Sequence, residues 1–227
     1  MLDLFILVVL LIFAFVGSKR GLIDTALTFF SSLGALILSF IIYPVINVIL
    51  KMTPLYLHIN EWINNRISAI NFGTGVQAQG HAIIENITWL PEFVGEALVR
   101  NNNTEVYKVL GAQNVVDYVS ISITNIVISM LAVLITWFIL KCVLVGSLRM
   151  VGNMVAKLPV ISSFNHLGGF CIGLIKGLLT FWIVTLIIPC IIAIPAYQDF
   201  ETYIQTSILF KWLYENNLVV LALQQLF

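Results

Sequence analysis

Charge is what this sequence has least of. Only 10 % of its 227 residues are charged, and the eleven basic and eleven acidic side chains cancel to a formal net charge of zero. Soluble domains carry about 25 % charged residues, so this chain lacks the polar groups to cover a globule in water. The even balance also removes the long-range pull on which nucleic-acid binding depends, and no nucleic-acid partner is expected. Catalytic signatures are missing too: there is no H-E-x-x-H, no G-x-S-x-G, no Walker A and no dinucleotide fingerprint. His58, His81 and His166 share no helix face. Cys142, Cys171 and Cys190 have neither C-x-x-C spacing nor a histidine at metal-ligand intervals, and read as small buried hydrophobes. Neither enzymatic activity nor a metal or cofactor is expected.

Apolar residues, by contrast, make up 60 % of the chain, with a mean hydropathy of +1.02. A disordered chain is thereby excluded. A membrane-crossing helix needs about 20 apolar residues at 1.5 Å of rise each. Four stretches qualify, at about 2–17, 22–43 (with Pro44 as stop or kink), 118–140 and 168–188. The first carries Asp3 where a signal peptide has basic residues, shows no small-x-small cleavage pattern, and is followed by Lys19 and Arg20. It reads as a retained anchor. The expected fold is all-α: one integral membrane domain of four transmembrane helices, paired as two parallel helical hairpins, plus amphipathic surface helices.

Short basic loops stay cytoplasmic. Lys19 and Arg20 lie between spans one and two; Lys141, Arg149 and Lys157, with no acid, lie between spans three and four. Segment 51–117 is richer in acids and is placed outside, as is the tail, so both termini are expected to be extracytoplasmic. Within 51–117 two helical pieces are expected, His58–Ile70 and Ala82–Val99 (broken by Pro91). They either lie in the headgroup region with Trp62 and Trp89 as anchors or pack together as an external cap. The link at 144–158 repeats Leu144, Leu148, Val151, Val155 and Leu158 on one face and Arg149, Asn153 and Lys157 on another, up to Pro159. It is either a basic surface helix on anionic lipid or a plain connector whose charges enforce topology. A further interfacial helix is expected at about 200–227, with Ile204, Ile208, Trp212 and Leu213 as its apolar stripe.

Gly169, Gly173 and Gly177 recur at intervals of four, which puts all three on one face of span four and lets a neighbouring backbone approach closely. Ser31, Ala35 and Ser39 of span two form the candidate partner track, for packing within the chain or along a homo-oligomer seam. Lys176 lies between these glycines, and Asp24 is its candidate ion-pair partner. That pair supports either simple snorkelling of the lysine or an ion relay. Asn125 in span three is expected to hydrogen-bond a neighbouring helix.

Three sets of residues carry a family resemblance: Asp3 with Gly17, Arg20, Gly21, Leu22 and Ile23; Lys157-Leu158-Pro159-Val160 with Asn165, Gly168, Gly169, Gly173 and Gly177; and Ser207-Ile208-Leu209 with Trp212, Tyr214, Glu215, Asn216 and Asn217. In order and spacing the chain resembles the colicin V production protein family of bacterial inner-membrane proteins. The resemblance implies a multi-pass protein of the bacterial cytoplasmic membrane whose loss impairs colicin V production, linked to envelope fitness. A basic residue usual in that family after Asn165 is replaced here by His166. The lipid bilayer and a membrane-protein partner or second copy are the expected partners. Two roles stay open: a non-enzymatic protein supporting toxin production, secretion and envelope maintenance, and a small oligomeric channel or transporter.

Overall fold

The computed structural model describes residues 2–155, 162–197 and 199–224, and the side chains of all of these except 145–155, 162, 163 and 224. Among them every regular element is helical. α1 (Leu2–Arg20), α2 (Leu22–Lys51), α7 (Val115–Val155) and α8 (Ser162–Val184) are the long ones. Four helical stretches are long and apolar enough to cross a membrane: Leu2–Arg20, Leu22–Lys51, Val115–Leu144 and Phe164–Ala193. The chain is an all-α membrane protein.

Two boundaries differ from the sequence expectation. Pro44 does not end the second span, because α2 runs on to Lys51. The ring removes one backbone bond, that to the Phe40 carbonyl, a loss that membrane helices tolerate where neighbours compensate. The third span continues unbroken into the amphipathic link as far as Val155. The side chain of Arg149, and all of Lys157 and Pro159, lie outside the described residues, so the basic face and its stop are not placed. The fourth span passes through a 3-10 turn at Thr185–Ile187 into α9 (Ile188–Ala193).

Each hairpin packs chiefly on the other, and not within itself. α1 lies antiparallel against α8, and α2 against α7. Ala35 and Leu36 of α2 share a buried cluster with Met130, Val133 and Trp137 of α7. Trp137 Nε1 donates to the Ser32 carbonyl (3.1 Å), and Asn47 Nδ2 to Ser129 Oγ (2.9 Å). Ser31 and Ser39 close their hydroxyls on Leu27 and Leu36 carbonyls of their own helix. Asn125 is half-buried and makes no side-chain hydrogen bond; the polar links of α7 come instead from Ser120, Thr124 and Ser129.

Segment 51–117 folds as four short helices, α3 (Pro54–Ile67), α4 (Val76–Asn86), α5 (Glu92–Arg100) and α6 (Thr104–Leu110). Their apolar faces meet. Ile59, Ile63 and Ile67 of α3 are fully buried with Ile83, Val94 and Leu98 and with the start of α7. This is a packed cap on one end of the bundle. Trp89 is buried in it, which rules out the membrane-anchor role, and Trp62 is partly buried against the same core. Asn60 reaches across to Ser120 and Thr124, and the Tyr118 hydroxyl donates to the Leu98 carbonyl (2.7 Å).

The tail is three short helices, α10 (Phe200–Gln205), α11 (Ile208–Glu215) and α12 (Leu218–Gln224), where one interfacial helix was expected. The expected stripe splits: Ile204 and Leu213 are buried with Phe210 and Tyr214, while Ile208 and Trp212 face outward. Cys142 and Cys171 are also exposed on the outer faces of the spans, contrary to the buried reading, and Cys190 is half-buried.

Candidate functional site

Two places concentrate the residues that the sequence singled out. The first is the glycine face of α8. A methyl group added at Gly169 would fall on the Gly17 carbonyl oxygen and lie 2.9 Å from the Gly21 carbonyl carbon; one at Gly173 would lie 2.5 Å from the Phe13 carbonyl oxygen. Gly177 faces Phe13 and Leu10 in the same way. The track is therefore filled by α1 and not by Ser31, Ala35 and Ser39, whose helix turns that face to α7. The signal for the true partner was present in Ala14, Gly17 and Gly21, small residues at helical spacing, with Ala14 and Gly17 both buried. Where backbones approach this closely, dispersion supplies the attraction that lipid cannot.

The turn between α1 and α2 is held by the same helix. Gly21 has φ of 86°, a left-handed conformation that glycine adopts without strain. It lies against Asn165, whose Oδ1 accepts from Leu22 N at 2.7 Å and so satisfies one free N–H at the start of α2. The His166 ring Nδ1 lies 2.8 Å from the Ser18 carbonyl. That link needs a ring N–H, not a fixed positive charge.

The second place is a cavity of about 210 Å3 at this end of the bundle, whose walls include Arg20, Thr25, Thr28, Lys141 and Lys176, with Gly173 among its apolar lining. Four elements meet there. Lys176 Nζ donates to Thr28 Oγ1 at 2.8 Å, and no ion pair within 4.0 Å joins it to Asp24, which is exposed and outside the cavity wall. The direct bond of Lys176 is thus to a hydroxyl, with Asp24 acting on it only from longer range. The Lys141 ammonium stands over the Trp137 ring, 4.2 Å from its centroid. Thr25 Oγ1 donates to the Gly17 carbonyl and Thr28 Oγ1 to the Thr25 carbonyl, both at 3.0 Å. Lys19, next to Arg20 in the sequence, is exposed.

At the opposite end Asp3 does work that the sequence did not assign to it. Its carboxylate accepts from Ser207 Oγ and from the backbone N–H of Leu209 (2.8 Å), Phe210 (3.2 Å) and Ile208 (3.3 Å). This caps α11 with a negative charge at the helix N-terminus. Asn217, almost fully buried, donates to the Trp182 carbonyl and Thr185 Oγ1, and accepts from Val219 and Val220 N. A second cluster escaped sequence reading: Arg66 pairs with Glu201, donates to the Ile192 carbonyl (3.1 Å) and lies over Trp89 (4.8 Å). Its members are spread along the sequence with no shared motif.

Among the described residues the three sets that carry the resemblance meet in space: the turn at 17–22 lies on 165–173, and Asp3 lies on 207–210, while 157–160 fall outside the described residues. Residues 106–217 match the family model described as colicin V production protein. This stretch, just under half of the chain, is similar to the colicin V production protein family. It spans α7, α8 and most of the tail, and so includes Lys141, Asn165, the glycine track, Lys176 and Ser207–Asn217. The α1 residues that fill the glycine track precede the matched stretch. That match supports a role in colicin V production. No match was found among curated proteins or solved structures. Among the described residues no cluster of His, Cys, Asp or Glu has the geometry to hold a metal ion.

Proposed function

We propose that this chain is a non-enzymatic multi-pass protein of the bacterial cytoplasmic membrane that supports toxin production or secretion and envelope maintenance through lipids or membrane-protein partners. The observation that carries this reading is the colicin V production family match over 106–217. Two structural features support it. Several polar groups within the spans make helix-to-helix links, as at Asn47–Ser129 and Lys176–Thr28. The outer faces offer large apolar side chains, among them Phe5, Ile12, Phe30 and Ile41, to lipid or to a partner. The basic ends at Lys19, Arg20 and Lys141 face the cytoplasm in this reading, with the cap and both termini outside.

A colicin V-producing strain lacking its own family member provides the test. Wild-type chain should restore toxin in the culture supernatant, and Gly173→Leu should not. Restoration by both would refute the role of the α1–α8 contact, and by neither the role in production. A second reading, a small channel or transporter formed by several copies, draws on the cavity that reaches Lys176. Solute flux in proteoliposomes that disappears in Lys176→Gln would favour it; absence of flux with correctly inserted protein would reject it.

A further inference from the structure

The cavity at the basic end is walled by three cations and no carboxylate; Asp24 stands outside the wall and acts on Lys176 only from longer range. Neither Arg20, Lys141 nor Lys176 has a carboxylate within 4.0 Å among the described residues. Lys141 and Lys176 are half-buried, with Arg20 exposed at the mouth, and like charges held together partly out of water repel, so an anion between them is favoured. The two threonine hydroxyl protons are already used on backbone carbonyls, and Thr28 Oγ1 is the acceptor for Lys176. What remains open is a set of donors: two on the Lys176 ammonium, those of Lys141 not turned to the Trp137 ring, and the fork of Arg20. A ligand that fits must bring negative charge and several acceptor oxygens.

The location narrows it further. Arg20 ends α1, and Thr28 lies six residues, about 9 Å, inside the start of α2, so the cavity runs from the membrane edge to just below it. The volume of about 210 Å3 far exceeds the ~15 Å3 that admits one water.

We propose that this cavity binds a phosphate group, carried by an anionic glycerophospholipid of the adjacent leaflet or by a free phosphate ester. Lys141 and Lys176 neutralise its charge from α7 and α8, and Arg20 closes on it bidentately from α1. The ligand thus ties three of the four spans together. The inference deepens the function proposed above by naming the chemistry of the lipid or small-molecule partner.

The test uses the full chain purified in a mild neutral detergent, with thermal unfolding as readout and three probes: phosphatidylglycerol, phosphatidylcholine and inorganic phosphate. Phosphatidylglycerol or inorganic phosphate should raise the midpoint, and phosphatidylcholine should not. Stabilisation by the anionic lipid alone assigns a lipid source; stabilisation by inorganic phosphate assigns a free ester. The half-saturating concentration should rise at least tenfold in Lys141→Gln/Lys176→Gln, stay within twofold in Lys141→Arg/Lys176→Arg, and be unaffected by Lys51→Gln at the far end of α2. Arg20→Gln, at an exposed residue whose loss does not threaten folding, should weaken binding about threefold. Equal stabilisation by phosphatidylcholine, or Gln variants that bind as wild type, would overturn the proposal. Because binding is measured on purified protein, its failure beside intact toxin secretion sinks the cavity alone, and the reverse sinks the secretion role alone.

Discussion

Consider a single methyl group added at Gly169. In Gly169→Ala the new carbon meets the Gly17 carbonyl oxygen and, at 2.9 Å, the Gly21 carbonyl carbon. Both are backbone atoms in the α1–α2 corner, so no side chain can rotate away. The helices must part or tilt, stretching the Leu22–Asn165 bond and loosening the contacts at Gly173 and Gly177. Overpacking of this kind costs about 1–3 kcal/mol, and an all-backbone clash belongs at the upper end. Alanine returns up to ~1 kcal/mol through its better helix propensity, leaving a net loss of about 2 kcal/mol, roughly thirtyfold in the folded-to-unfolded ratio. Gly34→Ala is the matched control. It is the same change inside a transmembrane helix, but nothing lies within 4 Å of the added carbon, so it should be neutral or stabilising by up to ~1 kcal/mol. Gly168→Ala meets only the Leu22 side chain, at 2.8 Å, which can turn, and should fall between the two. Equilibrium unfolding in mixed micelles of rising SDS fraction, followed by tryptophan fluorescence, measures all three. Equal midpoints for Gly169→Ala and Gly34→Ala would refute the argument that α1 and α8 touch backbone to backbone.

Asp3→Ala removes the acceptor for Ser207 Oγ and three backbone N–H groups; it should weaken the α11 cap and raise amide exchange at 208–210 before the rest of the chain. Asp3→Asn, which keeps an oxygen without the charge, should recover about half. Arg66→Ala leaves Glu201 without its partner and Trp89 without its cation, and should cost about 2–3 kcal/mol, below the fully buried range because both charges keep some access to water. The accompanying change in tryptophan emission should be lost in Arg66→Ala combined with Trp89→Phe.

Length and polarity made the four spans readable, because a run of some 20 apolar residues has few other uses. Their ends were less so: Pro44 signals a break in water, whereas α2 absorbs it. Periodicity disclosed the apolar faces of 58–70 and 82–99, and the structure decides between lipid and cap by burying Ile59, Ile63 and Trp89 together. The glycine track was visible as a face, but spacing within one helix carries no address. Ser31, Ala35 and Ser39 matched it in pattern, while Ala14 and Gly17 meet it in space. Charge picked out Asp24 but not the direct contact of Lys176. Asp24 sat one turn inside the correct end, yet Lys176 reaches the hydroxyl of Thr28 instead. Arg66–Glu201, separated by 135 positions, left no trace that one sequence could reveal.

The α1–α8 contact also sets an order of events during synthesis. The Asn165 that closes the corner at Leu22 is translated 143 residues after it. At about 5–20 residues per second, α1 waits roughly 7–30 s before its partner helix exists. During that interval its glycine face meets only lipid, and Asp3 has no helix to cap. A chain halted within α7 therefore has a first helix held only at its α2 corner, with no α8 along its small-residue face. The seam closes only on chains translated through α8, and the capped tail only on those that reach α11. Closure thereby reports that translation has passed both points.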